Sequence, residues 1–211
     1  MKKVLNHIFI DGLSGMALGL FSTLIIGMII GQIGTLVGNE IGTYLIAISS
    51  VAKTVTGAGI GVGVAAKFKQ GPLVTVSAAV AGMIGAFPAL GMESFALGKA
   101  GEPLGAFVAA LIGIECGRLV AGRTKIDIIL TPLVSICTGA AAGFIVGPPI
   151  SNFMKWLGNL VNINVEASPI LGGIAVSVLM GMILTLPISS AALGVSMGLT
   201  GLAAGAATIG C

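Results

Sequence analysis

Residues 53–63, KTVTGAGIGVG, combine one lysine, two threonines and four glycines at every second position. They lie within a long apolar stretch of a chain that is 56% hydrophobic and only 8% charged. A charge at the centre of a bilayer costs at least about 2.5–3.5 kcal/mol on insertion scales. Lys53 therefore needs a polar environment built by the protein, unless it lies in a loop between two half-spans or extends its amine to the interface.

The composition excludes an ordinary soluble globular protein. A membrane span takes about 20 apolar residues, and this chain has four charge-free runs of sufficient length. They are Gly12–Asn39, Gln70–Met92, Ile128–Met154 and Ala167–Cys211. The first run has no cleavage site after a short apolar core, so it is read as a true helix and not as a signal peptide. These features predict an all-α, polytopic transmembrane helical bundle.

The charge distribution predicts the orientation. The proposed first five crossings are 12–38, 41–66, 70–92, 103–117 and 128–152. They leave one side of the membrane with Lys2, Lys3, Lys67, Lys69, Arg118, Arg123 and Lys125. The other side carries Glu40, Glu93, Lys99, Glu102, Lys155 and Glu166. By the positive-inside rule the basic side, with the N-terminus, is cytoplasmic.

The remaining apolar run is divided at Pro187, which predicts a sixth span over Pro169–Leu186 and a seventh, outward or re-entrant, over Pro187–Gly210. PLVTVSAAVAGMIGAFP from Pro72 and PLVSICTGAAAGFIVGP from Pro132 indicate a weak hairpin repeat, as is common in transporters. The expected organisation is a single transmembrane domain, 1–211, with repeat units around 41–92, 103–154 and 169–210. The apolar end after GLAAGAATIG further suggests an N-terminal portion of a longer protein.

The glycines predict two different kinds of backbone. Pairs such as Gly15/Gly19 and Gly27/Gly31 form GxxxG motifs, which are typical of close helix packing in membranes. The alternating glycines of 57–63 point around the helix, so we expect them to weaken it. Unwound backbone at membrane depth must line a wet cavity or be buried in protein. The predicted solute-binding residues here are Lys53, Thr54, Thr56, Gly57 and Gly59.

Two carboxylates complete the candidate site. Glu102 lies in the segment Phe87–Phe107, which is interrupted by prolines and glycines and either dips back into the membrane or forms an ordinary solvated hairpin. Glu115 lies three residues before Arg118, so it either pairs with that arginine on one helix face or serves a solute or proton. The break in Thr185–Gly194 has the same character as that of Phe87–Phe107.

Other classes of chemistry lack their residues. His7, the single histidine, is expected to be a titrating surface residue, and no nucleophile lies at recognisable spacing. The chain lacks a GxxxxGK[ST] motif, and the few basic residues argue against nucleic-acid binding. Cys116, Cys137 and Cys211 have neither CxxC spacing nor clustered histidines. No cofactor or metal is therefore expected, and an enzyme is less expected than a transport component.

Three stretches carry a family resemblance: DGLSGMALGLFSTLIIGMIIGQIG (11–34), GEPLGAFVAALIGIECGRLVAGRTKIDIILTPLVSICTGAAAGF (101–144) and LPISSAALG (186–194). The chain resembles the phosphotransferase-system enzyme IIC membrane proteins, in the branch with the perfringolysin-regulator-like proteins. The resemblance implies transport of a sugar or other small polar or anionic solute across the bacterial cytoplasmic membrane. It also implies a separate phosphorylated IIB partner and a homo-oligomer. Sugar-specific members carry a Glu-Pro motif at the substrate, and the only Glu-Pro dipeptide in this sequence is Glu102-Pro103, which is predicted on the outer half.

Two functions therefore remain after the sequence is read. The first is a permease that binds its solute around Lys53 and the interrupted segments. The second is a membrane regulator or scaffold whose helices bind partners while no solute crosses.

Overall fold

A computed structural model describes residues 7–87, 95–184, 197, 199 and 201–210. Within these residues the regular structure is entirely helical, which confirms the predicted all-α class. The chain divides into two compact units, Met1–Pro148 and Pro149–Cys211. The predictions for Glu93, for Pro187 and for Thr185–Gly194 lie outside the described residues.

The described helices are named here in their order along the chain. They are α1 (Leu13–Leu20), α2 (Ile26–Val37), α3 (Glu40–Thr54), α4 (Thr56–Lys67), α5 (Pro72–Ala86), α6 (Pro103–Val120), α7 (Asp127–Ala167), α8 (Pro169–Leu184) and α9 (Gly201–Gly210). Two π-helical segments, His7–Gly12 and Phe21–Ile25, precede α1 and α2. Ile10–Val37 is therefore one helical run of 28 residues.

A tight turn joins α2 to α3. Gly38 ends α2 with φ +66°, a left-handed conformation that glycine adopts without steric cost. Asn39 then caps α3, since its side-chain oxygen accepts a hydrogen bond of 3.1 Å from the Gly42 amide. Gly34 and Gly42 face each other across the resulting hairpin, which lets the two backbones approach closely.

The second predicted span is broken at Val55. Helices α3 and α4 meet there at an angle of 54°. The threonines on either side of the break both bind carbonyls of α3: Thr54 donates to the Ser50 oxygen over 2.7 Å, and Thr56 donates to the Lys53 oxygen over 2.6 Å. Side-chain donors of this kind replace backbone bonds lost at a helix break inside a membrane.

The glycine run itself is helical, so our expectation of unwound backbone over 57–63 is wrong. Gly59 and Gly63 lie on one face of α4, against Gly19 and Gly15 of α1. Gly57 and Gly61 lie on another face, against Gly82 and Ala78 of α5. The alternating glycines thus form two GxxxG motifs on two faces of α4, and within each motif the glycines are four residues apart. Helix α4 is therefore held between two neighbouring helices.

The packing continues through α5 and α6. Gly85 and Gly105 form a further close backbone contact between these helices. On α7, Ser135 donates a buried hydrogen bond of 2.9 Å to the Gly113 carbonyl of α6. In the second unit α8 packs against α9, where Ser177 donates to the Ala206 carbonyl over 2.7 Å.

Length and hydropathy qualify several helices as membrane spans. Among the described residues, Ile10–Val37, Pro103–Val120 and Asp127–Ala167 each qualify, and the bent pair of α3 and α4 adds a fourth. Pro72–Ala86 and Pro169–Met182 are shorter apolar helices. The fifth predicted crossing was placed at 128–152, whereas its helix α7 continues to Ala167.

We call the packing of α4 between α1 and α5 the clamp. It predicts that one added methyl group lowers the stability of the protein. Gly61→Ala places a Cβ against the Ala78 carbonyl, and we expect the free energy of unfolding to fall by about 1–3 kcal/mol through overpacking. Titration of the purified protein with dodecyl sulfate, followed by circular dichroism, measures this change. Gly205→Ala is the control, since an added Cβ there meets open space in α9. Equal stability of the two variants would contradict the clamp.

Candidate functional site

The break between α3 and α4 is covered by a connecting segment. Thr54 and Thr56 are buried at the break, with 5% and 0% of their surface exposed. The Gly98 amide donates a hydrogen bond of 2.7 Å to the Thr54 hydroxyl. Gly98 has φ +87°, which favours glycine at this position. The segment before α6 is thereby fixed to the break.

Glu102 is the N-cap residue of α6. It is only 8% exposed, and its Oε1 accepts a hydrogen bond of 3.1 Å from the Leu104 amide. Its own amide donates to the Ala86 carbonyl at the end of α5, over 2.7 Å. Pro103 follows as the first helical residue, where a proline costs no backbone hydrogen bond. The carboxylate is therefore both buried and held by the N-terminus of a helix.

Ala86 lies close both to the start of α4 and to the residue before Glu102. A Cβ added to either Gly57 or Gly101 would lie 2.8 Å from the Ala86 Cβ. The start of α4, the end of α5 and the start of α6 consequently converge on one point. We call Thr54, Thr56, Gly57 and Glu102 the break site.

Lys53 faces elsewhere. Its stem lies along α2, where a Cβ added to Gly27 would be 3.1 Å from its Cγ. The side chain lines a groove of about 230 Å³ between α2 and α3, which we call the α2–α3 groove. Consecutive residues on a helix point about 100° apart, so Lys53 and Thr54 serve different surfaces. The structure thus separates two residues that the sequence grouped into one pocket.

Gly59 is also outside the break site. A Cβ added there would lie 2.6 Å from the Thr23 Cγ2 and 3.1 Å from the Gly19 carbonyl. The residue therefore supports packing of α4 against the first helical run. The sequence signal for this was present, because Gly59 and Gly63 have the same spacing as Gly15 and Gly19.

Glu115 belongs to a separate cluster near the end of α6. Its Oε2 lies 2.8 Å from the Arg118 Nη2, which is the pairing that their spacing allowed. Its Oε1 lies 3.8 Å from the His7 Nε2, and His7 Nδ1 lies 3.5 Å from the Asp11 Oδ2. Thirteen residues of helix separate Glu102 from Glu115, or about 20 Å at 1.5 Å per residue.

The sequence did not predict that His7 packs against other side chains. Its ring stacks on Phe68, with centroids 3.8 Å apart, and its side chain is 33% exposed. With Glu115 and Arg118 it lines a cavity of about 610 Å³. His7 is thus a partly exposed residue that also contacts Phe68, Asp11 and Glu115. In the described part of the chain, no three His, Cys, Asp or Glu side chains form a group that could hold a metal.

The break site is rich in hydrogen-bond acceptors. The hydroxyl hydrogens of Thr54 and Thr56 are bound to carbonyls of α3, so these groups offer lone pairs. Glu102 adds carboxylate oxygens, which are stronger acceptors. Acceptors of this kind would suit a ligand that carries several hydroxyl donors.

A broken apolar helix with a buried carboxylate beside it is typical of membrane-embedded transporters. The family model for the phosphotransferase system, EIIC, matches residues 10–211. The chain belongs to that family, which confirms the resemblance in its sequence and makes it a membrane transport component of the phosphotransferase system. Comparison with curated proteins and with solved structures gave no match.

The bond between Thr54 and Gly98 predicts how fast one backbone amide exchanges with solvent. Thr54→Val leaves the Gly98 amide without its acceptor, which costs about 1–3 kcal/mol and loosens the segment. We expect the Gly98 amide to exchange about tenfold faster in the folded protein, as measured by hydrogen exchange and mass spectrometry. Thr35→Val is the control, because its hydroxyl bonds only the Gly31 carbonyl of its own helix. Unchanged exchange in Thr54→Val would contradict the contact.

Proposed function

We propose that the protein is a multi-pass permease that moves a sugar or another small polar solute across the bacterial cytoplasmic membrane. The solute binds at the break site, where Thr54, Thr56 and Glu102 supply acceptors to its hydroxyl groups. The single observation that carries this proposal is the buried Glu102 carboxylate at a helix start beside the broken span. Gly57 permits the close approach of α4 and α5 there.

The depth of the break site supports a binding role. Helix α5 has 15 residues, about 22 Å, which is shorter than the roughly 30 Å hydrocarbon core. It ends at Ala86, which packs against Gly57 just after the break, and the segment that holds Gly98 bonds Thr54 just before it. Irregular backbone at such depth is tolerated where it lines a wet cavity. The N-terminus of α6 also stabilises a carboxylate at Glu102.

We further propose that the N-terminus is cytoplasmic and that the complete topology has about seven spans. His7 contacts both Phe68 and Glu115, which supports placing the first residues, the end of α4 and the end of α6 on one side. The exposed basic residues Lys67, Lys69, Arg118, Arg123 and Lys125 lie near these ends. Their accumulation on one side fits the positive-inside rule.

A separate IIB protein is the proposed phosphoryl donor on that basic side, and the permease is proposed to act as a homo-oligomer. Family membership supports the IIB partner. No role in nucleic-acid binding is proposed. A regulator without transport activity is the alternative from the sequence, and the family match favours transport over it.

Uptake into proteoliposomes tests this function. The full chain is reconstituted and assayed with a panel of radiolabelled sugars and polyols, with and without soluble phosphotransferase components. We expect uptake of at least one compound. Glu102→Gln keeps an oxygen for the Leu104 amide but removes the charge, and we expect its initial rate to fall at least about tenfold, as for loss of a charged hydrogen bond.

Glu40→Gln is the matched control, because Glu40 is exposed at the start of α3 and distant in sequence from the break. It should transport at the wild-type rate. Transport that is insensitive to Glu102→Gln would refute the break site as the binding site. Absence of uptake for every compound would favour the regulator.

A further inference from the structure

The α2–α3 groove contains a buried hydroxyl that no neighbour satisfies. Ser49 is 1% exposed, and its Oγ has no hydrogen-bond partner among the described residues. The hydroxyls of Thr35, Ser50 and Thr54 on the same two helices each bond a carbonyl four residues earlier. Ser49 does not follow this pattern, and a buried polar group without a partner costs free energy. A ligand in the groove would supply the missing acceptor.

The position of Ser49 is fixed by a glycine. A Cβ added to Gly31 would lie 2.6 Å from the Ser49 Oγ, so only glycine leaves room for the hydroxyl against α2. Gln32 follows Gly31 and brings an amide with two N–H donors to the edge of the groove. The helical hairpin thus holds two donor groups near each other.

Lys53 lies one turn beyond Ser49 on the same face of α3. It is half-buried, and the described residues give it no ion-pair partner. Lys53 is 13 residues from Glu40 and 14 from Lys67, the two ends of the broken span, or about 20 Å of helix on either side. That distance exceeds the reach of a lysine side chain, so the ammonium group cannot extend to either interface. An anion bound in the groove would neutralise its charge.

The chemistry of the lining selects the ligand. The groove is lined by Met28, Gly31, Gln32, Thr35, Ile46, Ser49 and Lys53, a set without a carboxylate. Its polar groups include an ammonium, an amide and a hydroxyl, which all donate hydrogen bonds. Its volume of about 230 Å³ accommodates one small charged group. The break site on the neighbouring face has the opposite character, since it presents acceptors.

We propose that the α2–α3 groove is a binding site for a phosphate or carboxylate group, held by Lys53, Ser49 and Gln32. The group belongs either to a free anion or to the headgroup of an anionic lipid, which share this chemistry. The site is distinct from the break site and does not depend on the transport proposal.

Binding to the purified full chain tests the free-anion source. In a neutral detergent without anionic lipid, inorganic phosphate is titrated and followed by ³¹P line broadening. We expect saturable binding that Lys53→Met weakens at least tenfold and Ser49→Ala severalfold. Lys67→Met is the control, because it removes the same charge from an exposed position at the end of α4, and it should bind as the wild type does.

Nanodiscs test the lipid source. The wild type, Lys53→Met and Lys67→Met are each placed in discs of phosphatidylcholine with one tenth phosphatidylglycerol. After extraction, native mass spectrometry measures how much phosphatidylglycerol remains bound to each protein. Loss of this lipid in Lys53→Met but not in Lys67→Met would support the groove as a lipid site. Loss of phosphate binding under the same comparison would support it as a free-anion site.

The proposal is overturned if the wild type binds neither probe, or if Lys67→Met weakens binding as much as Lys53→Met does. Folding is checked by circular dichroism and gel filtration. Removal of an unpaired charge from the membrane should not destabilise the chain. If Lys53→Met nevertheless fails to fold, Ser49→Ala decides the outcome, and unchanged binding in that variant overturns the proposal.

Discussion

The close contact of α4 with two neighbours at once is the constraint on which the first unit depends. Gly59 and Gly63 bring its backbone against α1, while Gly57 and Gly61 bring it against α5. In a bilayer, where apolar side chains gain little by leaving lipid for protein, such backbone approach supplies much of the packing energy. Helix α4 is thus fixed on two faces, and the change of direction between it and α3 falls just before the glycines, at Val55.

The position of the break determines which way the neighbouring polar side chains face. Because the hydroxyls of Thr54 and Thr56 bind carbonyls of α3, they remain at the break and face the segment of Gly98 and Glu102. Lys53 lies on α3 immediately before the break and faces α2 instead. One bent span therefore separates an acceptor-rich surface, suited to hydroxyl groups, from a donor-rich surface, suited to an anion. The same glycines that pack the bundle thus fix the break that keeps these two surfaces apart.

The sequence predicted the features that depend on composition and local spacing. The helical membrane class, the Glu115–Arg118 pair and the family all follow from such signals. An interruption of the second span was also expected, but at 57–63 and not at Val55, where it lies. It did not predict that 57–63 is helical, because a glycine run has low propensity and only its partner helices stabilise it. Nor did it predict the position of His7, whose contacts with Phe68 and Glu115 join residues far apart in the chain. Lys53 and Thr54 are successive residues of a helix, so their side chains point about 100° apart. Their separation onto two surfaces could therefore have been predicted from the sequence alone.

Amide hydrogen exchange of the reconstituted protein tests the central claim most directly. If α4 is a helix clamped between α1 and α5, the amides of residues 57–63 exchange slowly, at rates comparable with those in the interior of α6, while the segment 95–101 exchanges faster. Exchange of residues 57–63 as fast as that of 95–101 would show that the glycine run is unwound. The break at Val55, and the two polar surfaces that it separates, would then lose their structural basis.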